Sequence, residues 1–408
     1  MNPQSSLASA VSKFLFPIFD NPIDNKPLVY LDNAATTQKP HTVINAISNY
    51  YAYHNASVHR GAHTLANTAT RAMENVRIQL QHFLHTHSSQ EIIFTSGTTQ
   101  SLNLIAQSYG TPYLKAHDEI WISPLAHHSS LLPWKKLCAT TGAKLKKIPL
   151  TQTGTIDLEA LKSMFSHQTK IVIINYVSNL IGNINPVKAI AHLAQRHNAI
   201  TIVDAAQAVA HLEIDVQDLG CDFLAFSGHK MYGPTGIGVL YGRTKLLEKM
   251  VPYQLGGGMV RNVESELLHY EKIPHRFEAG TPHTAGIVGL GAAIKFLNEV
   301  DHKKLQQHEQ DLLAYMQAQL NQLPHIATLP SQMPKVGIVS FNIKGIHPLD
   351  VGMRLNASGI AVRTGHHCVA PLINQIGLTD LGTVRVSLAC YNDAQDIDTL
   401  IEALKKMQ

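Results

Sequence analysis

From about residue 90 to 240 the chain alternates short apolar runs with amphipathic segments, and this alternation restricts the possible fold more than any other feature. EIIFT (91–95), EIWIS (119–123), KIVIINYV (170–177), AITIVD (199–204), DFLAFS (222–227) and GIGVLYG (236–242) read as buried strands. Between them a helical stretch begins at Thr98, and Pro186 opens VKAIAHLAQRHN, whose apolar spacing is helical. Repeated strand-helix-strand units predict an α/β fold, a mostly parallel sheet covered on both faces by helices.

After about residue 290 the pattern changes. A long helical pattern from Ile294 to Leu320 leads to VGIVSFNI (336–343), a helix around Leu349 to Asn356, the strands IAVR and VRVSLAC, and a terminal helix reaching Met407. The expected organisation is a large domain over residues 21–288 and a smaller α/β domain built from 1–20 and 289–408. Residues 7–16 read as a short amphipathic helix docked on the body. With 408 residues, 45% of them hydrophobic, such a chain can bury a large core.

Composition narrows the function. Net charge is +4 with no run of Lys and Arg, so no nucleic-acid partner is expected. No stretch reaches the ~18 apolar residues of a membrane span, and the N-terminal apolar stretch is broken by Lys13 and Pro17, which makes a poor secretory leader. Cys138, Cys221, Cys368 and Cys390 are far apart and form no CxxC pair. That argues against disulfides and a zinc knuckle, and for a reduced, cytoplasmic setting. The adjacent residues His366, His367 and Cys368 would not point at one ion, so no metal is expected.

In open parallel sheets the ligand crevice lies beyond the carboxyl ends of the strands. EIIFT runs into Ser96, Gly97, Thr98 and Thr99, where small residues and a helix N-terminus suit a phosphate. AITIV ends in Asp204, and DFLAF ends at Ser227, followed by His229 and Lys230. One helical crossover separates the last two stretches, so these ends fall side by side. A lysine ammonium held out of water without a partner costs several kcal/mol unless chemistry neutralises it. Pyridoxal 5'-phosphate (PLP) offers three matching handles: an aldehyde for a lysine Schiff base, a ring nitrogen for a carboxylate, and a phosphate.

These residues resemble those of the fold-type I PLP enzymes of aminotransferase class V, and specifically the Suf-type (group II) cysteine desulfurases. The similar stretches are LDNAATTQKP (31–40), NASVHRGAHTLA (55–66), SGTTQSLNLIA (96–106), VSNLIGNINP (177–186), VDAAQAVAH (203–211), SGHKMYGPTGIG (227–238), FEAGTPHT (277–284) and RTGHHC (363–368), in family order over nearly the whole chain. The resemblance implies a PLP-dependent enzyme that converts L-cysteine to L-alanine. Lys230 anchors the cofactor and moves the substrate α-proton, Asp204 faces the ring nitrogen, His127 stacks on the ring, and Gln207 bonds its phenolic oxygen. Thr99, Ser227 and His229 hold the phosphate, joined by Thr281 from the other subunit of a homodimer.

The same resemblance assigns Arg385 to the substrate carboxylate, with Arg363 and Asn179 as further substrate contacts and His59 and Arg60 at the active-site mouth. Cys368 is the nucleophile that takes the substrate sulfur as a persulfide, for transfer to a small SufE-like acceptor protein in iron-sulfur assembly. A free thiol ionises near pH ~8.5; Arg363, His366 and His367 are candidate positive neighbours. The chain departs from the family pattern at Ala126, where an acidic residue is usual before the HH pair, and at Gln100, usually glutamate. Rival readings are a selenocysteine lyase acting on L-selenocysteine, another class V PLP enzyme, and a non-enzymatic scaffold.

Overall fold

The computed structural model describes residues 7–151, 153–263, 268–331, 333–369, 372–373, 378 and 381–407. The chain begins with strand β1 (Val29–Tyr30). The alternating region then supplies β2 (Ile92–Thr95), β3 (Glu119–Ile122), β4 (Lys144–Lys147), β5 (Thr169–Asn175), β6 (Ile200–Asp204), β7 (Phe223–Ser227) and β8 (Gly238–Gly242). They form one seven-stranded sheet in the order β2-β8-β7-β6-β5-β3-β4. β3 to β7 pair in parallel, and β8 runs antiparallel to both of its neighbours. The interior parallel strands β3, β5, β6 and β7 are largely buried because helices cover both faces. The expected mostly parallel α/β sheet is therefore present.

β4 was not anticipated. Its sequence KLKK has no apolar alternation, yet it pairs along β3 at the sheet edge. Lysines on an edge strand keep it soluble and discourage pairing with another chain.

The later part of the chain adds a hairpin of β9 (Val260–Val263) and β10 (Leu268–Tyr270), then β11 (Ile326–Thr328), β12 (Ile338–Ile343), β13 (Ile360–Ala361), β14 (Arg363–Gly365) and β15 (Thr383–Ser387). A four-stranded antiparallel sheet has the order β11-β12-β15-β14, and β1 pairs in parallel with β13. A separate apolar core lies on this sheet: Leu312, Met316 and Leu320 of the helix His302–Asn321, Phe341, Val386, and Leu400 and Leu404 of the C-terminal helix Ala394–Lys405. Val29 and Leu31 complete it, so the N-terminal stretch is threaded into the second core.

Two local expectations are corrected. The pattern from Ile294 to Leu320 is two helices, Thr284–Glu299 and His302–Asn321, because Asp301 accepts from the amides of Lys303 and Lys304 and starts the second one. Residues 7–16 make no α-helix; they lead into 3₁₀ turns at Lys13–Leu15 and Pro17–Asp20. Pro17 stops any continuation, and Phe16 anchors the segment edge-on to Tyr391, with ring centres 4.7 Å apart. Among the described residues no helix is long and apolar enough to cross a membrane.

Candidate active site

The carboxyl edge of the large sheet opens onto a cavity of about 510 Å³. β2 delivers Thr98 and Thr99, β3 leads to His127, β5 ends at Asn175, β6 at Asp204, and β7 at Ser227 before the turn that carries His229 and Lys230. The four-stranded sheet and the loop after its β14 supply Arg363, His367, Cys368 and Arg385, and Asn179 and Gln207 complete the wall. Strand polarity explains the convergence, since parallel strands end at one edge.

The cradle around Thr98 depends on two glycines. A Cβ on Gly238 would stand 2.4 Å from Gly97 Cα, so β8 passes against the turn only without a side chain. Gly97 itself has φ 153°. The helix Thr98–Ile105 then starts with its Thr98 amide donating to Ser227 Oγ at 2.9 Å, while Thr99 Oγ1 and Ser129 Oγ lie 2.7 Å apart. Gln100 accepts from the Ser96 amide and so fastens the turn without entering the cavity.

Asp204 is buried and firmly oriented. Ser130 Oγ donates to its Oδ2 at 2.7 Å and the Ala206 amide to its Oδ1 at 3.0 Å. His127 caps the helix His128–Thr141, its Nδ1 accepting from the Ser129 amide at 3.1 Å. That bond leaves the proton of the neutral ring on Nε2. Burial, with Lys230 nearby, pulls His127 down to about 4, so the ring is neutral at physiological pH. Ala126 is buried and offers no carboxylate, consistent with a ring oriented by a backbone amide instead. His229 is likewise pulled down to about 4 by burial, Lys230 and Lys39.

Lys230 is held by a short 3₁₀ turn, Gly228–Lys230, whose His229 carbonyl accepts from the Thr37 amide at 3.0 Å and Lys39 Nζ at 3.1 Å. Burial lowers Lys230 to about 8, against the opposing pull of Asp204. Its amine is therefore within reach of neutrality near physiological pH.

Arg385 is buried, and burial lowers it to about 10. Its Nη1 donates to the Asn179 carbonyl at 2.9 Å, and Nη2 lies 3.4 Å from Asp32 Oδ1. Arg363 Nη1 lies 3.8 Å from the other oxygen of the same carboxylate. Asp32 thus holds two arginines in place, a role that sequence reading missed because LDNAA gives no sign of a partner 353 residues away.

Cys368 is exposed at the cavity wall. Its loop is fixed by two backbone bonds: Asn179 Nδ2 donates to the His367 carbonyl at 2.8 Å and the His128 amide to the Cys368 carbonyl at 2.9 Å. His367 and Cys368 both take left-handed backbone angles, φ 51° and 58°. His367 is corrected as a positive neighbour: burial drops it to about 3, and Nε2 faces Thr383 Oγ1 at 3.0 Å. A negative charge on Cys368 would favour the charged forms of Lys230 and Arg385, which line the same cavity.

Three expected residues lie elsewhere. His59, Arg60 and Thr281 line a second cavity of about 470 Å³, with His275 and Gly280. Sequence reading also missed Asn175 and Ser130. Asn175 follows the same strand-end rule that found Asp204.

The residues fit PLP. Both polar atoms of the Asn175 amide and Arg385 Nε are buried with no hydrogen-bond partner among the described residues, so the cavity is built for polar groups that the chain itself does not supply. An amine, an oriented carboxylate and a hydroxyl-lined helix start are the donor set for an aldehyde, a ring nitrogen and a phosphate.

The profile of the family described as Aminotransferase class-V matches residues 29–400. A probable cysteine desulfurase of Halalkalibacterium halodurans is 48% identical over 394 residues, 97% of this chain and 96% of that protein. Among solved structures, the cysteine desulfurase CsdA of Escherichia coli in an S-sulfonic acid form superposes with TM-score 0.89 at 36% identity, covering 97% of this chain and 96% of the other. The apo cysteine desulfurase of Thermococcus onnurineus NA1 gives TM-score 0.91 at 36% identity, again with 97% and 96% covered.

Proposed function

The chain belongs to the aminotransferase class V family, and on that premise we infer that it is a PLP-dependent cysteine desulfurase acting on L-cysteine. One observation carries the assignment of roles: Lys230, Asp204, His127, Arg385 and Cys368, from five separate stretches, line one cavity. When bound, PLP supplies an aldehyde that captures the substrate amine and a conjugated ring that accepts electron density from its α-carbon.

The chain's residues do the rest. Arg385 and Arg363 orient the substrate carboxylate, with Asp32 keeping the two guanidinium groups in register. Lys230, lowered toward neutrality, takes the proton from the substrate α-carbon. Asp204 presents its carboxylate to the ring nitrogen, and Gln207, braced by donating to the Ala34 carbonyl at 2.6 Å, lies on the same wall. His127 presents a neutral ring for stacking, worth about 1 kcal/mol. Thr99, Ser227 and His229 hold the phosphate. Cys368 thiolate attacks the substrate sulfur: a sulfur-sulfur bond forms, the carbon-sulfur bond breaks, its electron pair stays with the β-carbon, and protonation there together with return of a proton to the α-carbon yields L-alanine.

The same reading gives the large unit, 21–288, the cofactor and the smaller unit, 1–20 and 289–408, the nucleophile. It makes the enzyme a homodimer in which His59, Arg60 and Thr281 complete the site of the other subunit. An exposed Cys368 supports passage of the persulfide to a SufE-like acceptor. Four free cysteines support a cytoplasmic setting.

Mass spectrometry after incubation with L-cysteine tests the assignment. The peptide bearing Cys368 gains one sulfur atom, and Cys368→Ser keeps its cofactor absorbance but forms no alanine. Undiminished turnover of Cys368→Ser would instead favour the selenocysteine lyase reading.

A further inference from the structure

The second cavity, whose His59 the proposed dimer places at the other subunit's site, also holds a cluster of ligand-type side chains. Among the described residues, one group of ligand-type side chains converges: His59, Glu74 and His275 each offer a donor atom, all within 4.8 Å of one another. They come from a loop, the helix Thr64–Leu84 and the turn His275–Phe277. We propose that these three residues bind a divalent transition cation of the zinc class. Two imidazoles and one carboxylate are the ligand set of open four-coordinate zinc sites, with water in the remaining position. Imidazole donors also select against magnesium and calcium, which prefer oxygen.

The geometry is close to closed. Tetrahedral ligands about 2.0–2.1 Å from zinc stand roughly 3.3 Å apart, so the side chains must draw in by about 1.5 Å at most. The His59 and His275 rings are already 5.1 Å apart, centre to centre. The cavity of about 470 Å³ lets them move.

The surroundings have the form of a supporting shell. His275 Nδ1 faces Glu278 Oε2 at 3.4 Å, which leaves Nε2 for the cation, and a carboxylate behind a ligating histidine raises its basicity. Arg77 holds both carboxylates, Glu74 Oε2 at 2.9 Å and Glu278 Oε1 at 2.7 Å. One guanidinium balances one of the two negative charges; the other draws positive charge to this spot, as a proton on His275, which Glu278 favours, or as a cation that displaces that proton. His59 sits in a left-handed conformation, φ 69°, with its amide donating to Thr70 Oγ1 at 2.8 Å, so the loop is fixed independently of its ring. A bound cation would staple this loop, with Arg60, to the helix and the turn. The inference does not depend on the desulfurase reading, but it shares His59 with the site that reading gives the dimer.

Cobalt(II) and zinc titrations of the full-length protein carrying Cys368→Ser, which removes the competing thiolate, test it. The expected result is one equivalent of zinc per chain by competition with a chromophoric chelator, and tetrahedral visible bands with cobalt. His59→Asn, which tolerates the same backbone angles, Glu74→Gln and His275→Gln should each weaken binding at least tenfold and abolish the bands. His59 is exposed, so His59→Asn remains informative if either other variant fails to fold. Unchanged stoichiometry and affinity in His59→Asn, or no stoichiometric binding by the parent, would overturn the proposal.

Discussion

Lys230 shows how much a single environment changes a residue. An ordinary lysine amine titrates near 10.4 and is almost wholly protonated at pH 7. Burial in the cavity lowers Lys230 to about 8, with Asp204 resisting and Arg385 assisting. The unprotonated fraction therefore rises about tenfold per pH unit below 8 and levels off above it. In cofactor-stripped protein, the rate of covalent PLP capture should follow that curve; stopped-flow absorbance between pH 6 and 9.5 measures it. A rate still climbing steadily beyond pH 9 would mean an ordinary surface-like amine. Cys368 is the complementary case: its loop is set by the Asn179 side chain donating to the His367 carbonyl and the His128 amide donating to the Cys368 carbonyl, so Cys368→Ser removes the nucleophile without disturbing the loop.

At the level of elements, the phosphate cradle depends on how β2 is held. Arg77, from the helix Thr64–Leu84, donates to the Ile92 carbonyl at 2.8 Å and to Glu278, while the Phe94 amide donates to Glu278 Oε1 at 2.8 Å. This buried pair fixes the strand that delivers Thr98. Glu278 is brought down to about 2: burial opposes its charge, but Arg77, His275 and the Phe94 amide together outweigh it. Since its folded-state value is below the unfolded one, the stability it adds is fully present above about pH 4.5 and is lost as pH falls toward 2. Glu278→Gln leaves the buried Arg77 with only the partly exposed Glu74 as counter-charge and should cost up to about 3–5 kcal/mol. Urea unfolding at pH 7 measures this, and a change below 1 kcal/mol would remove the pair from the account.

At the scale of the molecule, Lys230 and Thr281 face different cavities of the same chain. If two subunits exchange these residues, mixing two defective chains should restore activity. Neither Cys368→Ser nor Arg60→Ala homodimers should turn over normally. Co-expressed, about half of the dimers are mixed and each has one intact site, so roughly a quarter of wild-type activity should return. Activity of the mixture no higher than the mean of the two parents would count against a shared site. His211 and Glu309, 98 residues apart in the chain, also pair, with Nδ1 and Oε1 2.9 Å apart. Glu309 Oε1 also accepts from the Gly337 amide, which ties the helix His302–Asn321 to the start of β12 as well.

The sequence by itself determined the α/β class, the strand ends that carry Asp204 and Lys230, and the small-residue turn at Gly97, because these follow from local periodicity and from the polarity of parallel strands. It missed β4, whose lysine-rich edge shows no apolar alternation, and it joined two helices across Asp301, whose capping role outweighed a continuous apolar pattern. Asp32 between two arginines, Ser130 on Asp204, the neutral state of His367 and the cluster of His59, Glu74 and His275 were decided by tertiary structure alone. Each depends on residues far apart in the chain being brought within a few ångströms, and on burial that no local window of sequence records.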